Sequence, residues 1–232
     1  SLYGGTWTLF TQTFPNFGIK AKFFDPTRPE DIRKLVDENT RCVYFESQGN
    51  PKNDVPDYAE VARIAHECGL PVICDNTVMT PALLRPFEHG VDINVYSCTK
   101  FIGGHGLHVG GCIVDSGRYN WTADAKKWPE FTAPDPSYHG LVLAEALQPI
   151  GNIAYIIKCR THLLRDMGSC MSPFAAFLFV QGLETLHLRM PRHCENAMKV
   201  ARHLVDHPAV EWVNYPGLPD HPSHANVKKY LP

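Results

Sequence analysis

The sequence predicts an α/β fold, a mainly parallel sheet flanked by helices. Three observations predict it. Short runs rich in β-branched and apolar residues alternate with helix-length amphipathic runs from residue 40 onward, as in strand–helix–strand units. The strand runs are apolar almost throughout rather than alternating, as expected of strands covered on both faces. Finally, 232 residues with 44% hydrophobic and 20% charged positions suffice to bury a sizeable core.

"RCVYFES" (41–47) reads as the first strand, followed by a helix over 57–69 that Asp57 caps and Gly69 closes. "LPVICDN" (70–76) is the next strand. "PALLRPFEHG" (81–90) makes a short crossover to "INVYS" (93–97), and "HVGGCIVD" (108–115) reads as a further strand. Residues 116–140, rich in proline and aromatics with little periodicity, read as an excursion from the sheet. A long helical stretch over 141–168 precedes a run to residue 208 whose apolar spacing suits one long helix or two consecutive ones. Residues 210–222 read as a strand followed by a Pro/Gly loop.

Lysines and arginines total 22 against 24 acids, a net charge of −2, and no basic stripe marks a nucleic-acid or anionic-membrane partner. No apolar run approaches the roughly 20 residues of a membrane span, and nothing at the start resembles a signal peptide. A soluble, cytoplasmic protein with small-molecule partners is expected. The eight cysteines form no CxxC pair and read as buried, reduced thiols. Among the 12 histidines, His203 and His207 lie four apart on an expected helix, but no third ligand follows at a suggestive spacing, so no metal is expected. The chain starts at Ser1 and stops at "KKYLP", and it is expected to be a piece of something longer.

Ligands of open parallel sheets sit at the carboxyl ends of the strands, which singles out Asn50, Asp75, Ser97, Thr99 and Lys100. A lone lysine at a strand end is ordinarily a solvated charge or half of a salt bridge. Here its company argues otherwise. Ser97 and Thr99 offer hydroxyl donors at alternate positions, and Gly103, Gly104 and Gly106 permit close backbone approach, which together are phosphate-binding tools. A phosphate beside an amine suggests pyridoxal 5'-phosphate, which holds a lysine as an imine and so removes the difficulty of deprotonating an ammonium. Asp75 then has a definite role, because a carboxylate beside the pyridine nitrogen keeps it protonated and makes the ring an electron sink. A dinucleotide loop fits less well, because Gly104, Gly106 and Gly110 miss the GxGxxG spacing and the loop follows a lysine rather than opening a helix.

"SLYGGTWTLF", "ESQGNP", "DNTVMTP", "YSCTKFIGGHG" and "SPFAAFLFVQGLETLHLRMPRHCENA" resemble, in order, successive signatures of the cystathionine-metabolism (Cys/Met metabolism) family of pyridoxal phosphate enzymes. The likeness runs through almost the whole chain. "ESQGNP" and "PDPSYHG" (134–140) point within it to the branch that acts on O-acetylhomoserine.

The resemblance implies the aspartate aminotransferase-like fold type I, with 1–186 as the cofactor-binding large domain lacking its N-terminal part and 187–232 as the truncated start of a smaller C-terminal α/β domain. It implies that Lys100 carries the Schiff base, that Asp75 pairs with the pyridine nitrogen, and that Ser97 and Thr99 bind the phosphate. Tyr3 would lie over the cofactor ring and assist proton transfer or leaving-group departure, and Asn50 would hydrogen-bond near the cofactor oxygen or the substrate carboxylate. The implied reaction is γ-replacement on O-acetyl-L-homoserine by sulfide to give L-homocysteine in methionine biosynthesis. The alternatives are a cystathionine or methionine γ-lyase, a cystathionine γ-synthase, or, more distantly, a non-catalytic assembly element. A homotetramer built from dimers is also implied.

Val78 and Met79 stand where the family more often has an aromatic and a small residue, and "HGLHVGG" replaces the more usual HGTSIGG. The family's upstream Ser-Gly-Met segment, its tyrosine and arginine arm and its downstream carboxylate-binding arginine are not in these 232 residues.

Overall fold

A computed structural model describes residues 1–231. After a first helical segment that opens with α1 (Gly4–Thr8), four strands form one sheet: β1 (Val43–Glu46), β2 (Val72–Asp75), β3 (Ile93–Ser97) and β4 (Gly111–Asp115), in the order β1-β2-β3-β4. β1, β2 and β3 are parallel, with Glu46 opposite Asp75 and Asp75 opposite Val95. All three carboxyl ends therefore open on one edge of the sheet.

β1 and β2 are joined by α2 (Tyr58–Glu67), whose capping Asp57 accepts from the Glu60 amide at 3.1 Å. Tyr58, Val61 and Ile64 lie on its buried face against Leu70 and Val72, all fully or almost fully removed from water. Each such side chain contributes about 1.5–3 kcal/mol of transfer free energy, which fixes the helix on the sheet. The Tyr58 hydroxyl donates to the Ser47 carbonyl at 2.7 Å and ties α2 to the end of β1. The crossover from β2 to β3 is the single turn α3 (Thr80–Leu83) and a 3-10 turn, Pro86–His89.

β4 is the one strand of the four that runs antiparallel to its neighbour, with Ser97 of β3 opposite Gly111. The reason is the connection: residues 98–110 form a loop that turns the chain straight back, and a parallel neighbour would need a crossover helix. Four of β4's five residues are exposed, so coverage on both faces holds for the three parallel strands and not for this one.

The excursion over 116–140 is better packed than its lack of periodicity suggests. Trp121, Trp128 and Phe131 are buried with Ile93 of β3 and with Leu143 and Ala154. The long helix expected over 141–168 is instead broken into a turn, Leu143–Ala146, and a helix that opens as α4 (Ala154–Lys158) and continues to Met167 through a π-helical stretch. Pro149 and Gly151, the latter at φ +133°, interrupt it. The run that follows forms two helices, α5 (Pro173–Glu184), capped by Ser172 on the Ala175 amide at 3.1 Å, and α6 (Leu186–Val205). A second core joins them to the turn after β3: Tyr96, Cys98 and Ile102 pack with Ala175, Phe179, Leu186 and Met190.

Residues 210–213 do not form the expected strand, and among the described residues no strand lies beside them to pair with. The chain then returns to the first core through α7 (His224–Tyr230), whose Lys229 donates to Asp57 at 2.8 Å. All eight cysteines are free, but the expected burial holds only for Cys74 and Cys98; Cys42, Cys112, Cys170 and Cys194 are exposed.

Candidate active site

The carboxyl edge of the sheet is organised around Asp75. Its Oδ1 accepts from the Thr77 amide at 2.9 Å and from the Thr77 hydroxyl, an Asx-type turn that the sequence "DNT" builds locally. The same hydroxyl oxygen accepts from the Ser97 amide at 2.8 Å, so Thr77 couples the end of β2 to the end of β3. On the other side, the Tyr44 hydroxyl of β1 donates to Oδ2 at 3.2 Å. Burial first, and the charge of Asp75 second, push the Tyr44 phenol well above its ordinary range and keep it a donor. Asp75 is thus held directly from β1 by Tyr44, and through Thr77 it is linked to the end of β3.

Lys100 sits on a turn that leaves β3. Its amide donates to the Ser97 carbonyl at 3.1 Å and its carbonyl accepts from Gly104 at 2.7 Å, while the Gly103 amide reaches the Cys98 carbonyl at 2.8 Å. The side chain of Lys100 is exposed on the same edge as Asp75, and Ser97 is half-buried. Thr99 is engaged differently from the sequence expectation. Its hydroxyl donates to the Gly110 carbonyl at 3.2 Å and accepts from the Gly110 amide at 3.0 Å, closing the 98–110 loop. A hydroxyl has one proton, so Thr99 would have to turn it from Gly110 to serve a phosphate.

Two of the expected residues lie farther along the edge. The Tyr3 amide donates to Glu46 Oε1 at 2.7 Å, which docks the start of α1 beside Asp75's register partner, and the Tyr3 side chain is 51% exposed. Asn50 is exposed beyond the end of β1, before a cis bond to Pro51. The structure brings Asp75, Ser97 and Lys100 to one short stretch of edge and places Tyr3 and Asn50 around β1.

Sequence reasoning missed Tyr44, Glu46 and Thr77. Thr77 carried a readable signal, the Asx-turn pattern two residues after Asp75. Tyr44 and Glu46 carried none, because only the β1–β2 register shows that they flank Asp75. Glu46, 7% exposed, has its carboxyl pushed up to about 7, chiefly by burial and further by Asp75, with the Tyr3 amide working against the rise.

Over residues 1–232 the chain matches the family model described as Cys/Met metabolism PLP-dependent enzyme. The chain belongs to this family. Among its relatives are the homocysteine synthase of Schizosaccharomyces pombe and the O-acetyl-L-homoserine sulfhydrylase of Leptospira meyeri, each 51% identical over 99% of this chain and 53% of the relative. A solved structure from Campylobacter jejuni, assigned as an O-acetylhomoserine (thiol)-lyase and containing N'-pyridoxyl-lysine-5'-monophosphate, superposes with a TM-score of 0.93 at 41% identity, covering 99% of this chain and 56% of that one. The chain spans about half the length of the curated relatives it matches. The fold is that of the type I pyridoxal phosphate enzymes, with a mainly parallel sheet of four strands flanked by helices.

Pyridoxal phosphate is the family's cofactor, and the donor set of this edge fits it. Asp75 Oδ2 takes only the long bond from Tyr44 among the described residues and retains acceptor capacity for a ring N–H. Lys100 offers an accessible amine just beyond the adjacent strand end, and Ser97, half-buried at that end, offers a hydroxyl.

Proposed function

We propose that this chain is the cofactor-holding part of an O-acetylhomoserine sulfhydrylase. The overall exchange breaks the Cγ–O bond of O-acetyl-L-homoserine, forms a Cγ–S bond with sulfide, and releases acetate and L-homocysteine. The observation that carries the reading is the edge itself: Asp75 and the Ser97–Lys100 turn leave neighbouring parallel strands and are pinned together by Thr77. Relatives bearing the sulfhydrylase name, about half identical over nearly the whole chain, support the choice of reaction.

Pyridoxal phosphate, when bound, supplies an electron sink that acidifies the hydrogens of an attached amino acid. The residues of the chain divide the remaining work. Lys100 would hold the cofactor covalently, and its amine would move the proton at Cα. Asp75 holds the proton on the ring nitrogen, with Thr77 and Tyr44 fixing the carboxylate's orientation. Ser97 and Thr99 bind the phosphate. Tyr3 would lie over the ring and assist proton transfer or departure of acetate, and Asn50 would orient the cofactor oxygen or the substrate carboxylate.

A homo-oligomer, a tetramer built from dimers, completes the reading; the apolar residues exposed on α5 support it. So does a cytoplasmic site of action, given eight free thiols, four of them exposed. Among the described residues no helix is long and apolar enough to cross a membrane.

Lys100→Ala in the full-length protein should abolish both the visible absorbance of lysine-bound cofactor and homocysteine formation from O-acetylhomoserine and sulfide. Retention of both would sink the assignment of Lys100. Consumption of methionine alone by the unsubstituted protein would replace the sulfhydrylase with a γ-lyase.

A further inference from the structure

We infer that Arg189 is a positioning residue for Lys100, clamping the turn from which that lysine projects. The inference rests on the assignment of Lys100 made above. Arg189 lies in the first turns of α6, 89 positions beyond Lys100, and its half-buried guanidinium gathers three backbone carbonyls. Nη1 donates to the Phe101 carbonyl at 2.8 Å, and Nη2 donates to Gly182 at 2.7 Å and to Ile102 at 3.4 Å. Nε donates to the Thr185 hydroxyl at 3.0 Å, which orients the fork.

Two of the three carbonyls belong to the residues immediately after Lys100. The guanidinium is planar with fixed donor directions, so bonds to successive carbonyls set the orientation of those peptide planes as well as their distance. Through them it sets the direction in which the Lys100 side chain leaves the turn. Bonds to a charged donor are also roughly twice as strong as neutral ones.

The surroundings are shaped around this clamp. Gly104, at φ +75°, lies where a Cβ would come within 2.6 Å of Arg189 Nη1. The glycine after the turn therefore makes room for the arginine, a reason for "FIGGHG" different from close approach to a phosphate. One helical turn farther, His193 packs on the Phe101 ring with centroids 5.5 Å apart, so one face of α6 grips the residue next to Lys100 twice.

The plainer reading makes Arg189 a cap for the last turn of α5, where the Gly182 carbonyl lacks a helical partner. Capping alone accounts for one of the three acceptors. It predicts lost stability with unchanged chemistry, which separates the two readings experimentally.

The test uses the full-length holoprotein with Arg189→Met and Arg189→Lys. Three readouts are taken: kcat and KM per bound cofactor, melting temperature, and the rate at which borohydride fixes cofactor to Lys100, followed by peptide mapping. A loosened turn misdirects the amine, so Arg189→Met should lower kcat on the order of a hundredfold and slow labelling, with KM little changed. Arg189→Lys, which keeps the charge but reaches fewer carbonyls, should recover about a tenth of the parent kcat.

A lower melting temperature with kcat and labelling rate within about twofold of the parent would reduce Arg189 to a cap and overturn the proposal. If Arg189→Met does not fold, the same criterion is applied to Arg189→Lys. Absence of label on Lys100 in the unsubstituted protein would remove the assignment of Lys100, and the role of Arg189 with it; label on Lys100 with indifferent Arg189 variants would remove the role alone.

Discussion

Glu46 and Asp75 stand opposite each other on β1 and β2, and each carboxylate is held by the chain beside it. Asp75 receives the Thr77 amide and hydroxyl together with Tyr44, whereas Glu46 receives the Tyr3 amide in a buried position. Because burial pushes the Glu46 carboxyl from 4.5 up to about 7, the folded state keeps a proton that the unfolded chain has already lost over that interval. The contribution is fully present below pH 4.5 and is lost as pH rises toward 7. It is worth about 3 kcal/mol over the window, so unfolding measured between pH 5 and 8 should show stability falling with pH in the parent. Glu46→Gln, which cannot ionise, should flatten that slope; an identical pH profile in both proteins would show that Glu46 titrates normally.

At the scale of elements, α2 depends on a cap shared with the far end of the chain. Asp57 accepts from the Glu60 amide, from Lys229 at 2.8 Å and from the Tyr230 hydroxyl, so one side chain starts α2 and docks α7. Asp57→Ala should lower stability by about 2 kcal/mol, and Asp57→Asn, still a competent cap, by less than half as much, both read from denaturant midpoints.

The same helix shows which elements the sequence disclosed. α2 was legible because its start and stop are local: an aspartate whose side chain reaches three residues on, and a glycine at φ +67°. The boundaries of β3 were legible for the same reason. The antiparallel course of β4 and the irregular 210–213 depend on whether a partner strand stands alongside, which no local pattern states. The site divides likewise. Asp75, Ser97 and Lys100 follow from strand ends, whereas the Arg189 bonds span 87 and 88 positions and exist only after α6 has packed.

Over the whole molecule, apolar surface and charge together set how the chain behaves alone. Phe174, Phe177, Val180 and Leu183 recur every three residues along α5 and remain 68%, 56%, 55% and 43% exposed, a stripe rather than scattered side chains. The other face of the helix supplies Ala175 and Phe179 to the core, so the helix is apolar nearly all round, as expected of a buried element. A net charge of −2 offers little electrostatic resistance to association through such a stripe. The 232-residue chain, expressed by itself, should therefore self-associate at micromolar concentration in sedimentation velocity. Phe174→Ser with Phe177→Ser should shift it toward the 26.1 kDa monomer while leaving its circular dichroism unchanged, since neither side chain contributes to a core cluster. A parent chain that sediments as a monomer over that range would show that the stripe is tolerated in water and that α5 needs no apolar partner.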